Sequence, residues 1–263
     1  MKTLRHRTLS GYSWAMLVFL YLPIAVLMLY SFNESRINAV WSGFTWKWYL
    51  SLFDNRQVIN ALWNSLTIAL ISSILATVLG TAASLAMKHY SLQWRNFFNG
   101  LSYLPIVIPE IMMGLSLLVL FSQMHIELGK LTLVLAHVTF SLPFVMVIIN
   151  TRLADMGKEL EEAAQDLGAT AWETLRYITL PLISPSIVAG FLMSFTLSLD
   201  DFIISFFVAG PNSTTLPLYI YGLVKRGVSP EVNALSTLLI ASTVLLVVVA
   251  ELFRRKDSKS LSI

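Results

Sequence analysis

The chain has 263 residues, of which 56% are hydrophobic and only 13% are charged, and its mean hydropathy is +0.70. A soluble domain of average composition carries about 45–50% apolar and about 25% charged residues, so this composition argues strongly against a soluble enzyme. The net charge of +3 bears on membrane topology rather than on nucleic acid, for which no binding is expected, and the absence of cysteine excludes disulfides, thiolate metal sites and thiol nucleophiles.

Six apolar segments predict an all-α polytopic membrane protein with six transmembrane helices. A span needs about 20 apolar residues, so six spans use nearly all of the apolar residues and leave none for a separate soluble domain. We therefore expect a single transmembrane domain over residues 1–263. The first span has no small-residue cleavage site after it and is expected to be retained. The predicted spans are residues 11–32, 61–87, 97–122, 131–150, 186–209 and 232–253.

The distribution of Lys and Arg predicts that both termini lie in the cytoplasm. With the N-terminus inside, twelve of the 18 basic residues fall in inner segments and six in outer segments. Short cytoplasmic loops of membrane proteins carry such an excess.

Two outer segments are each open to two interpretations. The loop over residues 33–60 is rich in aromatic side chains, which is typical of a belt at the membrane surface but also fits a docking surface for an external partner. The segment Gly210–Pro230 is either part of an outer gate or an ordinary interfacial loop. The aromatic residues of the first loop are Trp41, Trp46, Trp48 and Tyr49.

The second span carries small residues at Ser73, Thr77, Gly80 and Ser84, which predicts close packing against another helix. The third contains the first carboxylate at membrane depth, Glu110, near its middle.

The inner loop, residues 151–185, predicts a helix, a glycine hinge and a second helix at the inner membrane surface. Leu160, Ala163, Ala164 and Leu167 recur at helical spacing, and Gly168 follows where a helix commonly ends in a left-handed residue. Thr170 and Glu173 have the spacing of a capping box, and the second helix is expected to stop near Pro181. The loop is acidic, so it is either a solvated amphipathic helix or a rigid knob that enters a cleft of a cytoplasmic partner.

The fifth span contains Asp200 and Asp201, and charge at membrane depth is a functional-site hypothesis by default. Ser194, Ser198, Asp201 and Ser205 form one polar stripe at helical spacing, and Asp200 points away from it. Asn99, Tyr103, Glu110 and Gly114 form a similar stripe on the third span, and His137 and Ser141 share a face of the fourth.

These stripes predict a lined pathway with Glu110 and Asp201 attracting or relaying a cation and Asp200, Tyr103 and Ser198 in support. No basic residue is placed inside the spans to neutralise the acids, which favours a cationic solute. The alternatives are that the acids are protonated, that they bond to backbone freed by Pro105 and Pro109, or that Asp200 bonds across to a partner subunit. His137 is more simply a packed, hydrogen-bonding residue.

The inner loop also resembles the EAA loop of importer permeases of the ABC transporter superfamily. The matching positions, in order, are Glu162, Ala163, Ala164, Gly168, Ile178, Leu180 and Pro181. The resemblance covers nearly the whole chain and is strongest to the permease subunits of spermidine/putrescine importers.

That resemblance implies an ABC type I importer permease fold in a bacterial inner membrane, without a catalytic or metal site. It further implies a homologous permease partner, two ATPase subunits that carry ATP and Mg, and a periplasmic polyamine-binding protein, with Glu162, Ala163, Ala164, Gly168, Leu180 and Pro181 coupling to the ATPase. No G-x-x-x-x-G-K-[ST] stretch occurs, so this chain has no phosphate-binding loop of that kind and no cofactor of its own is expected.

Three other functions compete with a polyamine importer. The first is an ABC importer permease for ferric iron, a phosphonate or thiamine, although intramembrane acids disfavour an anion. The second is a secondary transporter that uses the acids as a proton relay, but we find no inverted repeat. The third is a membrane enzyme, for which the sequence offers neither paired His ligands nor a recognisable Ser–His–acid arrangement.

Overall fold

The computed structural model describes residues 2–35, 40–88, 92–157, 159–227, 229–242 and 244, and these residues are almost entirely helical. A π-helical turn, Leu175–Thr179, lies within the long helical segment 171–200. The helices are α1 (Lys2–Tyr30), α2 (Lys47–Asp54), α3 (Arg56–Lys88), α4 (Leu92–Val107), α5 (Glu110–Gln123), α6 (Lys130–Asp155), α7 (Glu159–Asp166), α8 (Ala171–Thr174), α9 (Leu180–Asp200), α10 (Ile203–Val208), α11 (Leu216–Lys225) and α12 (230–242).

Four helical segments of the described residues are long and apolar enough to cross a membrane. They are Ser10–Tyr30, Arg56–Lys88, Lys130–Asp155 and Ala171–Asp200. The pair Gly100–Val107 and Glu110–Gln123 meets the same criterion when its two helices are taken together. The predicted class of all-α membrane protein is confirmed, with four spans in this part of the chain or five if the pair is one span.

The third predicted span is two helices rather than one. The axis turns by 104° between α4 and α5, and Pro109, at the bend, has an extended backbone (φ −55°, ψ 134°). A proline disfavours a helical conformation in the residue before it, which is Ile108. Pro105 lies inside α4 without ending it. Glu110 is therefore the first residue of α5 and not an interior residue of one long helix.

The fifth predicted span, residues 186–209, differs from the structure at both ends. The helix does not stop near Pro181, so that prediction is wrong: it runs from Ala171 through the π-helical turn to Asp200. Pro181 therefore lies inside this continuous helix, two residues after the π-helical turn, where the hydrogen bonding already departs from the regular α-helical pattern. At the other end, extended backbone at Asp201 (ψ 123°) separates α9 from α10.

The sixth predicted span, residues 232–253, is described only up to residue 242 and at residue 244, where the chain is helical. The rest of that span and the basic C-terminal residues used for the orientation lie outside the described residues.

One compact unit comprises the described residues of 1–59 and 220–263. Its outer loop folds around Asn33, whose amide donates to the carbonyl of Val40 (2.8 Å) and accepts from the N–H of Ser42 (3.0 Å). The indole of Trp48 is buried and donates to the carbonyl of Asn33 (2.8 Å). Trp46 is exposed, so this loop has its own small core as well as an aromatic surface.

The second unit comprises residues 60–219. Its core lies between α3, α5, α6 and α10 and includes Ile68, Leu133 and Ile204, all fully buried. Gly80 and Gly190 both lie against Val145 of α6: a Cβ at Gly80 would approach Val145 Cγ1 to 2.9 Å, and one at Gly190 to 3.2 Å. The predicted close packing of the small residues on the second span is confirmed at Gly80.

Candidate functional site

Two helix breaks meet inside the second unit and place the predicted acids together. α5 packs against α10, with Gly114 so close to α10 that a Cβ there would lie 2.8 Å from Phe207 Cδ2. Glu110 begins α5, and Asp200 and Asp201 lie at the break before α10. Gly114 lies four residues after Glu110, and a Cβ there would be 3.3 Å from Cα of Ile204, which lies three residues after Asp201. The three predicted carboxylates therefore lie at the same end of the packed pair α5 and α10.

Asp201 is buried and closes the first turn of α10. Its carboxylate accepts hydrogen bonds from the N–H of Ile204 (3.2 Å), the N–H of Ser205 (2.8 Å) and the hydroxyl of Ser205 (2.7 Å). These N–H groups belong to a helix start and have no partner within their own helix, so a carboxylate is a favourable cap. The same local interaction explains why the helix breaks here without a proline or glycine.

His137 of α6 lies at the centre of a buried polar cluster. Its Nε2 atom is 3.0 Å from Ser205 Oγ and 3.3 Å from Asp201 Oδ2, and its Nδ1 atom shares a short hydrogen bond with Ser198. Ser198 Oγ lies 3.0 Å from Ser72 Oγ of α3. The buried polar cluster, which is Ser72, His137, Ser198, Asp201 and Ser205, therefore joins α3, α6, α9 and α10.

The hydrogen bonds of this cluster assign the imidazole proton. Because the Ser205 hydroxyl donates to Asp201, its oxygen is left to accept from His137, which places a proton on Nε2. In the neutral ring, Nδ1 then accepts from Ser198. The predicted hydrogen-bonding role of His137 is confirmed, and Asp201 is not an unpaired carboxylate, so that part of the sequence argument is wrong.

The cluster also contains a Ser–His–acid arrangement that the sequence reasoning did not recognise. Ser205 is fully buried, His137 is 2% exposed and Asp201 is 8% exposed. A substrate has no access to side chains buried to this degree. The arrangement holds helices together, since buried polar groups in a membrane interior must find partners within the protein.

The other predicted pathway residues have different surroundings. Glu110 and Asp200 are exposed at the break, whereas Ser198 and Asp201 are buried and point into the cluster. Tyr103 is 44% exposed and lies in α4, on the far side of the 104° bend from Glu110. The helical stripe that was to join Tyr103 to Glu110 and Gly114 is therefore interrupted.

The first half of the inner loop has the predicted form of a short helix that ends at a glycine. α7 is followed by Gly168 in the left-handed region (φ +89°), whose N–H donates to the carbonyl of Gln165 (2.9 Å). The next residue, Ala169, donates to the carbonyl of Ala164 (3.0 Å). These bonds satisfy carbonyls that the helix end leaves free.

The outward face of this loop is apolar and acidic at once. Leu167 is 90% exposed and Leu160 is 51% exposed. Glu162 and Ala163 are also exposed, whereas Ala164 is buried against the rest of the unit. Leu160 and Leu167 are thus two large apolar side chains that this short loop leaves exposed.

The second half of the loop begins with the predicted capping box. Glu173 accepts from the N–H of Thr170 (2.8 Å), and the N–H of Glu173 donates to Thr170 Oγ1 (3.3 Å). The hydrogen bond from the backbone of Thr170, with a second one from its hydroxyl, lowers the pKa of Glu173. The turn that starts α8 is therefore fixed by local interactions that need no partner.

Sequence reasoning missed the contact between α3 and the inner loop. Lys88 Nζ lies 2.6 Å from Glu161 Oε2, and the hydroxyl of Thr179 donates to Glu161 Oε1 (2.7 Å). Helical spacing could have indicated this contact, because the side chain of Glu161 points about 100° away from that of Glu162 and so faces the rest of the chain. Among the described residues, no group of three or more His, Asp or Glu side chains is arranged to hold a metal ion.

The fold is that of a polytopic membrane protein, with several helices long enough to span, one bent helix pair and a helical loop whose outward side chains are exposed. The chain matches the family of binding-protein-dependent transport system inner membrane components over residues 76–256. It belongs to that family, and it is a multi-pass inner membrane protein and a transport subunit.

Relatives and a solved structure agree with this assignment. The chain is 43% identical over 250 residues to the spermidine/putrescine transport system permease protein PotC of Escherichia coli (strain K12), with 95% of each chain covered. It is 42% identical over 231 residues to the putrescine transport system permease protein PotI of the same strain, covering 85% of this chain and 82% of that protein. A bacterial ABC transporter involved in the import of the acidic polysaccharide alginate has the same fold, with a TM-score of 0.74, 20% identity, and 94% of this chain and 92% of that chain covered.

Proposed function

We propose that this chain is a permease subunit of an ATP-driven importer of polyamines such as spermidine and putrescine. The observation that carries the proposal is the 43% identity to a spermidine/putrescine permease over 95% of both chains. The acids gathered at the two helix breaks support it independently, because polyamines are cations and negative charge in a low-dielectric setting attracts them.

The solute pathway is proposed to pass the exposed acids at the helix breaks. Glu110 and Asp200 present their carboxylates outside the packed interior of the unit, where a cation can reach them. Asp201 and Ser198 are buried beneath this surface and support it. Asp201 holds the start of α10 and adds its negative charge, and Ser198 bonds α9 to α6. Tyr103 is assigned to the pathway through its exposure on α4.

Solute binding at these acids is proposed to be weak. A tight site inside the membrane would slow release, so most of the selectivity would reside in a periplasmic polyamine-binding protein. The carboxylates then lower the barrier for a cation without holding it.

The inner loop is proposed to couple transport to ATP hydrolysis by partner subunits. Glu162, Ala163 and the exposed Leu167 form the surface that would contact an ATPase, while Ala164 anchors α7 from behind. Gly168 allows the sharp change of direction. Leu180 and Pro181 begin α9, so a push on the loop would reach the membrane through one continuous helix.

The proposed assembly contains a homologous permease, two ATPase subunits that bind ATP and Mg, and a periplasmic polyamine-binding protein, all in contact with a bacterial inner membrane. The whole of residues 1–263 would act as one permease domain with both termini in the cytoplasm, which the distribution of Lys and Arg supports.

The test is ATP-dependent uptake of radiolabelled spermidine and putrescine by proteoliposomes that contain the complete complex. We expect Glu110→Gln and Asp200→Asn each to lower uptake up to about tenfold, the effect of about 1.4 kcal/mol. The exposed Glu127, in the short connection between α5 and α6, offers a matched control in Glu127→Gln, which should leave uptake unchanged.

Each outcome decides a different part of the proposal. Absence of polyamine uptake by an assembled native complex that hydrolyses ATP would overturn the solute, and thiamine and ferric iron would be tried next. Native uptake that depends on a proton gradient without ATP would instead favour a secondary transporter. Normal uptake in both acid variants would remove Glu110 and Asp200 from the pathway.

A further inference from the structure

One polar contact ties the inner loop to the cytoplasmic end of α3. The carboxylate of Glu161 uses its two oxygens separately: Oε2 lies 2.6 Å from Lys88 Nζ, and Oε1 accepts from the hydroxyl of Thr179 (2.7 Å). Lys88 is the last residue of α3, Glu161 belongs to α7, and Thr179 ends the π-helical turn. These three residues, the polar joint, therefore connect three elements at one point.

The polar joint is partly removed from water. The side chains of Lys88 and Glu161 are 15% and 17% exposed, and Thr179 is 3% exposed. An ion pair at an open surface contributes little to the free energy of folding. Removal of one partner from a largely shielded ion pair costs more, because the remaining charge is neither paired nor fully hydrated.

Packing around the joint is incomplete, so the polar contacts carry much of the connection. A cavity of about 370 Å³ lies beside them, lined by Lys88, Glu161 and Thr179 together with residues of α3, α7 and α8. The hydroxyl of Thr174, which lines the same cavity, is buried without a hydrogen-bond partner among the described residues. The Lys88–Glu161 ion pair therefore lies at the edge of an open pocket between α3 and the inner loop.

From the joint, α3 leads to the other functional parts of the second unit. Ser72 lies 16 residues before Lys88, about 24 Å along a helix, and bonds to Ser198 of the buried polar cluster. About two turns beyond Ser72, Asn64 donates to the carbonyls of Asn212 (3.1 Å) and Thr214 (3.0 Å) in the segment between α10 and α11. A single rigid helix thus has polar contacts at the inner loop, at membrane depth and near the outer segment.

We propose that Lys88, Glu161 and Thr179 are positioning residues that transmit movement of the inner loop to α3, and through α3 to the acids at the helix breaks. The inference rests on the proposed function, in which the inner loop receives the movement of an ATPase. Movement of the inner loop would then reach the spanning helices in two ways, through the continuous helix 171–200 and through the polar joint to α3. The two connections hold the inner loop on both sides.

The test measures coupling in the complete complex, as solute taken up per ATP hydrolysed. Lys88→Glu and Glu161→Lys should each lower this ratio about tenfold while ATP hydrolysis continues, and the double variant with both charges exchanged should recover most of it. Thr179→Val, which removes only the hydroxyl, should lower the ratio about two- to threefold. Lys130→Glu, a charge reversal at the start of α6, is the control and should have no effect.

A second measurement does not depend on the solute. The chain has no cysteine of its own. Spin labels can therefore be attached in the complete complex to the cysteines of the substitutions Leu79→Cys in α3 and Asp166→Cys in α7. The distance between the labels should have one narrow distribution with and without nucleotide, and a broad one in Glu161→Ala.

These measurements separate failure of the inference from failure of the proposed function. If native complexes take up no polyamine but the label distances behave as expected, the solute is wrong and the joint stands. Unchanged coupling in both single variants, a double variant as poor as the single ones, or a narrow distance distribution in Glu161→Ala would each overturn the joint.

Discussion

The carboxylates of Asp201 and Glu162 are both placed near the start of a short helix, yet their surroundings are opposite. Asp201 is buried, and two N–H groups, a hydroxyl and an imidazole surround its oxygens. Glu162 is exposed beside Ala163, with Leu167 fully open one turn later. The buried polar cluster is complete within this chain, whereas the inner loop presents a surface that the chain itself leaves uncovered.

That difference separates residues that hold the fold from residues that are available to other molecules. Removal of one member of a satisfied buried network leaves its partners without hydrogen bonds, so the cost falls on stability. Substitution on an exposed surface costs little stability, so its effects fall on partner contacts. The acids Glu110 and Asp200 share membrane depth with the cluster, but in exposure they belong with the inner loop.

The largest expected effect distinguishes two adjacent aspartates. Asp201→Ala should destabilise the protein by about 3–5 kcal/mol, because three buried donors, the N–H groups of Ile204 and Ser205 and the Ser205 hydroxyl, lose their acceptor at a cost of about 1–3 kcal/mol each. Asp200→Ala, on the exposed side of the break, should change stability by less than about 0.5 kcal/mol. Thermal unfolding of the detergent-solubilised complex measures both. Equal stabilities would contradict the assignment of Asp201 to the buried polar cluster.

A smaller effect is expected at the hinge of the inner loop. A Cβ at Gly168 would meet nothing within 4 Å, so only the backbone conformation (φ +89°) restricts this position. Gly168→Val should cost about 1–2 kcal/mol locally and uncouple ATP hydrolysis from uptake, since a β-branched residue disfavours this region. Gly168→Asn, which tolerates the left-handed region, should retain coupling. Loss of coupling in both variants would point to a contact of the glycine with a partner instead.

The smallest effect concerns the capping box and depends on pH. Because the pKa of Glu173 is lowered in the folded protein, its stabilisation of α8 is present above the unfolded pKa of about 4.3 and is lost as the pH falls through the lower folded value. Amide hydrogen exchange of residues 170–174 should be faster in Glu173→Ala than in the native protein at pH 7. The difference should shrink as the pH falls below the unfolded pKa and vanish below the lower folded pKa, and a difference that grows as the pH falls would contradict the sign.

The parts of the fold that local sequence controls were predictable. The capping box at Thr170 and Glu173, the left-handed Gly168 and the close packing at Gly80 each depend on neighbouring residues or on one small side chain. The break at Pro109 had a visible cause, although the sequence did not distinguish it from Pro105, which α4 accommodates.

The parts that depend on residues far apart in the chain were not predictable. The break at Asp201 has no proline or glycine; it exists because a carboxylate caps α10 and bonds to His137, 64 positions earlier. Helical spacing placed Ser194, Ser198, Asp201 and Ser205 on one stripe. The last three do meet, but around a histidine from another helix, whereas the buried hydroxyl of Ser194 has no hydrogen-bond partner among the described residues. The polar joint likewise joins Lys88 to a residue 73 positions later.

The π-helical turn at Leu175–Thr179 sets the angular register between the inner loop and the membrane half of the same helix. In an α-helix each residue advances the direction of its side chain by about 100°. A π-helical turn closes its hydrogen bond over one residue more than an α-helical turn, so it holds one additional residue with little change in the direction of what precedes it. Deletion of one residue from this turn would therefore restore regular α-helical geometry with Trp172 facing much as it does now, whereas a deletion elsewhere between Gly168 and α9 would swing it by about 100°. The orientation of the loop thus depends on the number of residues on each side of this turn as much as on their identity.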